Sequence, residues 1–124
     1  MPFHHALVFV DHHCAKIIAI GSEQAHERKV NAHLHLSGHN ERSERSKHEF
    51  FGKVCDALDG IAEVLVVGGH MGVADFRHYV EKHRPQTAER IDGYEVVDHP
   101  SDNALVAQAR QWFSHRTLMV GIAA

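Results

Sequence analysis

The stretch that decides the fold of this 124-residue chain is Val64–Phe76, which reads VLVVGGHMGVADF. Val64–Val67 is a continuous apolar run, and Gly68, Gly69 and Gly72 lead into a helical pattern. A strand that is apolar on both faces is usually central in its sheet and covered by helices on both sides. A glycine-rich turn lets the backbone approach a neighbouring element or a ligand closely. The stretch therefore predicts a central β-strand that turns tightly into a helix.

Composition indicates one globular domain over residues 1–124. Hydrophobic residues make up 44% of the sequence and charged residues 23%, and no apolar run is long enough to span a bilayer. Cys14 and Cys55 show no CxxC spacing and we see no secretory signal, so we expect reduced thiols and a cytoplasmic location. The formal net charge of −3 argues against a nucleic-acid binder held by global charge, and the 14 histidines are interpreted mainly as surface residues.

Three strands are predicted before the first helix. Ala6–Val10 and Lys16–Ile20 are β-rich runs joined by a short polar link, which is typical of a hairpin. Arg28–Leu36 alternates strictly between apolar and polar residues, so its apolar side chains are expected to face the core. The opposite face of this third strand then carries His33 and His35, roughly 7 Å apart.

Three helices are predicted after the polar segment Ser37–Lys47. Ser46 and Glu49 fit a capping box, while Asn40 or Ser43 could instead cap a longer first helix. The expected apolar faces are Phe50, Phe51, Val54, Cys55 and Leu58 in the first helix, Phe76, Tyr79, Val80 and His83 in the second, and Leu105, Val106, Ala109, Trp112 and Phe113 in the third.

Caps and breakers divide the second half of the chain. Pro85 ends the second helix, Thr87–Ile91 forms one more turn, Tyr94–Val97 is a short strand, and Ser101 caps the last helix. The apolar tail Thr117–Ala124 has three alternatives: an edge strand, a segment docked on a neighbour, or disorder. The order β-β-β-α-β-α-β-α predicts an α/β fold, a ribonuclease-H-like mixed five-stranded sheet with helices on both faces.

The order of elements and four stretches of sequence resemble the central domain of the archaeal and eukaryotic class-1 release factors and Pelota. The stretches are ALVFVDHHCAKIIAIG, FFGKVCDAL, VLVVGGHMGVADFRHYV and ERIDGYEVVDHPSDNALVAQARQWF. The resemblance is closer to the small bacterial relatives of that domain, described as translational machinery proteins, and VDHPSDNALVAQAR is most specific to them. It covers roughly residues 6–113 and implies a role at or near the ribosome.

Two departures from the family pattern bear on activity. Release factors carry a Gly-Gly-Gln tip between the third strand and the first helix, and this tip positions the attack on peptidyl-tRNA. Here the nearest string is Gly38-His39-Asn40, and Val73 stands where the family often has a lysine after its glycine turn. The resemblance therefore implies a non-catalytic protein that contacts ribosomal or transfer RNA through the loop 37–47. The contact residues it implies are Gly38, His39, Asn40, Arg42, Arg45 and Lys47.

A metal site is the first alternative. His33 and His35, together with His39 or His48, have a spacing on a strand and its following loop that could bind zinc. No cysteine or carboxylate at a diagnostic spacing supports the site, so exposed strand histidines without metal are the favoured interpretation. A metal-binding protein or small metal-dependent hydrolase using His33, His35 and His39 is the second function considered.

The glycine turn is a second candidate site. Gly68, Gly69, His70 and Gly72 could bind a phosphate through backbone amides at a helix N-terminus. The turn lacks both the GxGxxG pattern and a P-loop lysine, so close packing of the strand on the helix is favoured.

The ribonuclease-H-like fold also raises the question of a two-metal nuclease, which needs clustered carboxylates. Asp11, Glu49 and Asp98 are the plausible trio, but turn and cap roles explain Asp11 and Asp98. The loop before the first helix interleaves Glu41 and Glu44 with its basic residues, so a solvated helix start is an equal alternative to RNA contact.

The function predicted from sequence is thus a cytoplasmic, non-catalytic protein that binds the ribosome or RNA and needs no cofactor. A partner protein or a homodimer is expected to raise the affinity of such a domain, and no membrane is involved. A protein-interaction adaptor unrelated to translation is the third alternative.

Overall fold

The computed structural model describes residues 4–11, 14–21, 25–31, 44–98 and 100–123. The strands are β1 (His5–Val10), β2 (Cys14–Ile20), β3 (Ala25–Asn31), β4 (Glu63–Gly68) and β5 (Ile91–Val96). The helices are α1 (Glu44–Ala57), α2 (His70–His83), α3 (Pro85–Arg90) and α4 (Asp102–Ala123).

The strands form one mixed sheet in the order β3-β2-β1-β4-β5. β2 runs antiparallel to both β1 and β3, and the Asp11 amide donates a 2.9 Å hydrogen bond to the Cys14 carbonyl across the β1–β2 hairpin. β4 lies parallel to β1 on one side and to β5 on the other. The predicted fold class, a mixed five-stranded sheet with helices on both faces, is confirmed.

β4 is buried on both faces, as its unbroken apolar run predicts. Val64 and Val66 point to one side of the sheet, Leu65 and Val67 point to the other, and all four are 0% exposed. Burying a side chain of this size contributes about 1.5–3 kcal/mol relative to exposure, so both faces of the strand stabilise its central position.

The two faces of the sheet carry separate cores. The first core lies under α1 and α2, where Phe51 and Phe76 pack edge to face with ring centroids 5.3 Å apart. The second lies under α4, which contributes Leu105, Ala109 and Phe113. These are residues that the helical periodicity assigned to the apolar faces.

The last helix begins where the sequence predicts and ends later. The Ala104 amide donates a 3.1 Å hydrogen bond to Ser101 Oγ, which confirms the cap. Lys16 on β2 donates to Asp102 at 2.6 Å; this hydrogen bond raises the pKa of Lys16 and lowers the pKa of Asp102. The helix continues to Ala123, so an edge strand or disorder was wrong for residues 117–123. Over the described residues, no helix combines the length and apolarity needed to cross a bilayer.

Three predicted boundaries are wrong. β5 begins at Ile91, three residues before the predicted start at Tyr94. The third strand begins at Ala25, earlier than predicted, and its Val30 is only half-buried because β3 is an edge strand. α1 begins at Glu44, so Ser46 lies inside the helix and does not cap it; the longer helix is the alternative that agrees. Residues 32–43, which include the rest of the predicted strand and Ser43, lie outside the described residues.

Pro85 has a second role besides ending a helix. α2 ends at His83 as predicted, and Pro85 then occupies the first position of α3, which covers the turn predicted near Thr87. Proline suits this position because the first amides of a helix have no partner within the helix.

The two cysteines differ in burial, which gives a prediction for thiol labelling. Cys55 is 2% exposed in the core under α1, and burial raises its pKa to about 11, whereas Cys14 is half-buried. The thiolate is the reactive form, so at pH ~8 only about one Cys55 side chain in a thousand is reactive. We expect a thiol reagent to modify Cys14 in the folded protein and Cys55 only after unfolding. Mass spectrometry of wild type beside a Cys14→Ser variant measures this, and equal labelling of both thiols would contradict the burial.

Candidate functional site

The carboxyl ends of the parallel strands share one edge of the sheet. β1 ends at Val10 beside Gly68, the last residue of β4, and the Val97 amide after β5 donates a 2.8 Å hydrogen bond to the Gly68 carbonyl. β3 runs in the same direction as β1, so β3 also ends at this edge, at Asn31. Ligands of open α/β sheets bind outside the carboxyl ends of the strands, which makes this edge the first place to look for a site.

The glycine turn at this edge is closely packed. A Cβ atom on Gly68 would lie 2.4 Å from the Val10 carbonyl oxygen, and one on Gly72 would lie 2.8 Å from the same atom. Gly68 also has a φ of +157°, while Gly69 has open space around it and His70 is exposed. Gly68 and Gly72 therefore let α2 start directly against the end of β1. Binding of a phosphate by the turn stays a prediction, and no side chain caps the first turn of α2.

The carboxylates considered for metal catalysis do not form a cluster. Asp11 belongs to the β1–β2 hairpin through its backbone, and Glu49 and Asp98 are both exposed. Within the described parts of the chain, no three His, Cys, Asp or Glu side chains are grouped so that they could hold a metal ion. His33, His35 and His39 lie outside those parts, so the zinc site remains a prediction.

Of the predicted RNA-contact residues, Gly38, His39, Asn40 and Arg42 lie outside the described residues. Arg45 is in the first turn of α1, and Lys47 follows two positions later. The Lys47 ammonium lies 3.7 Å from the Asp75 carboxylate of α2, and both side chains are about one-third exposed. The basic end of the predicted loop is thus held against α2.

The two helices lie side by side and run in the same direction. Lys47 near the start of α1 pairs with Asp75, and Asp56 near its end pairs with Arg84, just after α2. Both N-termini therefore lie at the carboxyl edge of the sheet. This arrangement follows from the topology, because α1 leads into β4 and α2 leads out of it.

A cluster of aromatic and basic side chains lies where these helices touch. The ring centroid of His48 is 5.2 Å from that of Tyr79 and 4.9 Å from that of His83, and Tyr79 and His83 are 5.1 Å apart. The rings border a pocket of about 230 Å³. Its polar lining is Lys47, His48, Asp75, His78, Lys82 and His83.

Sequence reasoning did not find this cluster. It placed His83 on the buried face of the second helix, whereas His83 is exposed and lies on the Tyr79 ring. It named His48 only as a companion of the strand histidines. One usable signal was present: His78 and Lys82 are four residues apart, so they share a helix face with each other.

Comparisons with known proteins identify the fold. No family model matches the sequence, and no curated protein matches it. Pelota from Archaeoglobus fulgidus is similar in structure with a TM-score of 0.61 and 16% identity, over 86% of this chain and 30% of that chain. Pelota from Thermoplasma acidophilum has a TM-score of 0.59 and 15% identity, over 83% of this chain and 30% of that chain. An archaeal translation termination factor has a TM-score of 0.53 and 11% identity, over 96% of this chain and 41% of that chain.

The chain thus spans 30% to 41% of the length of these solved proteins. At such low sequence identity, the structural similarity shows the fold alone. The activity of a protein depends on the side chains of its site. The mixed sheet of this chain, with α1 and α2 on one face and α4 on the other, is therefore a Pelota-like and termination-factor-like domain fold.

Proposed function

We propose that this chain is a non-catalytic, translation-associated protein that binds RNA at or near the ribosome. The observation that carries the proposal is the structural likeness, over 96% of this chain, to a protein named as a translation termination factor. The sequence stretches that resemble the release-factor and Pelota central domain support the same setting. A cytoplasmic location follows from that setting.

The proposed contact is the segment 37–47, with Gly38, His39, Asn40, Arg42, Arg45 and Lys47. Two features support it: β3 ends at Asn31 at the carboxyl edge of the sheet, and α1 begins at Glu44 at the same edge. Basic side chains there can pair with RNA phosphates, which position a protein without reading sequence. Without a Gly-Gly-Gln tip, the mechanism is occupancy of a site and not cleavage of peptidyl-tRNA.

A single contact of this size gives modest affinity. A second binding module, either a partner protein or a second copy of this chain, would raise the effective concentration at the RNA. We therefore expect ribosome binding to be weak for the isolated protein and strongly dependent on salt.

Sedimentation with purified ribosomes on gradients at low and high salt tests the proposal. Each phosphate contact adds roughly 0.7–0.9 to the slope of log affinity against log salt concentration, so Arg42→Ala/Arg45→Ala/Lys47→Ala should lower the slope by about 2. A control triple variant, Arg28→Ala/Lys29→Ala/Lys53→Ala, removes three positive charges from exposed positions elsewhere and should bind as wild type does. If the wild-type protein is missing from every ribosomal fraction at low salt, the proposal is wrong and an adaptor role unrelated to translation gains weight.

A further inference from the structure

The pocket between α1 and α2 combines features that the proposed RNA contact through residues 37–47 does not use. It is bordered by two imidazoles in ring contact, His48 of α1 and His83 of α2, with centroids 4.9 Å apart. Tyr79 lies against both rings and is 8% exposed, so both histidine rings contact a buried aromatic side chain. The pocket volume is about 230 Å³.

The charges around the pocket favour an anion. α1 contributes Lys47 and His48, and α2 contributes His78, Lys82 and His83. Asp75 is the carboxylate in the lining, and its 3.7 Å separation from Lys47 is an ion-pair distance, too long for a direct hydrogen bond. The Lys47 ammonium therefore has donor capacity for another acceptor.

The two imidazoles add further donors to the pocket. The His48 and His83 rings are tilted by 56° to each other and both border the pocket, so an anion bound there lies near both rings. Each imidazole has a ring nitrogen that can donate an N–H hydrogen bond. The charges of Lys47 and Lys82 favour an anion at this place, while Asp75 opposes it.

A phosphate group matches this donor set better than a metal ion does. Its oxygens accept several hydrogen bonds at once, and lysine and imidazole side chains supply N–H donors from two helices. A metal ion would meet two ammonium groups in the lining. Lys47 belongs both to the pocket and to the proposed RNA contact, so an RNA strand held by Lys47 would place its backbone at the pocket.

We infer that this pocket binds a phosphate group of the RNA backbone, held by Lys47, His48, Lys82 and His83. The inference deepens the proposed function and rests on it for the identity of the ligand as RNA. A free phosphate or a small phosphate ester presents the same chemistry, so the test separates the two sources.

The test is an NMR titration of the full chain, with the imidazole resonances of His48 and His83 as the readout. The probes are a short single-stranded oligouridylate and, separately, inorganic phosphate. We expect the oligouridylate to shift the resonances of both rings. Lys82→Ala/His83→Ala should weaken binding about tenfold.

A matched variant, His26→Ala/Lys29→Ala, removes the same two residue types from the exposed edge strand β3 and should bind within about twofold of wild type. Because His83 contacts Tyr79, the single variant Lys82→Gln serves as a second test; it removes a charge from an exposed position and should also weaken binding. Far-UV circular dichroism checks that each variant is folded.

The outcomes are distinct from those of the ribosome experiment. Unshifted His48 and His83 resonances with either probe would overturn the inference, and inorganic phosphate binding as tightly as the oligouridylate would overturn RNA as the ligand. Undiminished ribosome binding by folded Lys82→Ala/His83→Ala would overturn the pocket and leave the proposed function standing. Oligouridylate binding without any ribosome binding would support the pocket and overturn the translational setting.

Discussion

Replacing Gly68 with alanine is expected to lower the free energy of unfolding by about 3–5 kcal/mol. The added Cβ would lie 2.4 Å from the carbonyl oxygen of Val10, a backbone atom of the neighbouring strand that cannot rotate away. Gly68 also has a φ of +157°, which side-chain-bearing residues rarely adopt. The clash and the backbone strain add, because relieving either one moves the β1–β4 ladder at the centre of the sheet. Urea denaturation followed by circular dichroism measures the effect.

The neighbouring glycine is the matched control. Gly69 has a φ of −67°, and no atom lies within 4 Å of the position that its Cβ would take, so Gly69→Ala should change the free energy of unfolding by less than about 1 kcal/mol. Gly72→Ala, with 2.8 Å to the same Val10 oxygen, should fall between the two. Equal effects at Gly68 and Gly69 would show that the close approach does not explain this turn.

Replacing Arg90 with alanine should cost about 2–3 kcal/mol, more than an exposed arginine usually contributes. The Arg90 guanidinium donates hydrogen bonds of 3.0 Å to the Leu58 carbonyl and 2.8 Å to the Ile61 carbonyl. These carbonyls lie just beyond the end of α1, on the connection into β4, next to buried side chains. Without the guanidinium they lose a charged donor, and Ile61 opens to water beside the core. Thermal and urea denaturation both report this loss.

Arg84 provides the comparison for Arg90. Its ion pair with Asp56 is 3.1 Å long, but the two side chains are 38% and 70% exposed. Exposed pairs of this kind contribute about 0–1 kcal/mol because water and salt screen them. Arg84→Ala should therefore destabilise the protein less than Arg90→Ala does. This order is expected even though, among the described contacts of these two residues, only Arg84 makes an ion pair. The reverse order would contradict the role of Arg90 as a support for the end of α1.

These two predictions concern the frame that presents the candidate sites. Gly68 sets the distance between β1, β4 and the start of α2, and Arg90 fixes the connection from α1 into β4. Both helices that border the pocket, α1 and α2, are thus anchored to the sheet away from the pocket itself. Variants of Lys82 and His83 can therefore test binding without removing these anchors.

Much of the fold was predictable because its signals are local. The apolar run of β4, the hairpin of β1 and β2 and the Ser101 cap each depend on residues close together in sequence. The errors fell at element ends, where neighbouring residues compete. Ser46 and Ser43 both resemble caps, and only the start of α1 at Glu44 distinguishes them.

The tail shows a different limit. An apolar segment without a cap or a period-two pattern suits a strand, a docked segment or disorder equally well. The structure continues α4 through Ala123, and a helix already in progress extends at little cost because nucleation is the expensive step. That context comes from the residues before the tail and not from the tail itself.

The sequence by itself determined the order of the strands and helices, the glycine turn and the fold class, since alternation, helical periodicity and turn chemistry act between near neighbours. Only the tertiary structure decided which side chains meet: Arg90 reaches carbonyls 32 and 29 positions away, and His48 of α1 meets Tyr79 and His83 of α2. The physical reason is that both helices connect to the same central strand from opposite ends, so they lie side by side on one face of the sheet. Periodicity along one helix carries no information about the partner that its exposed face will touch.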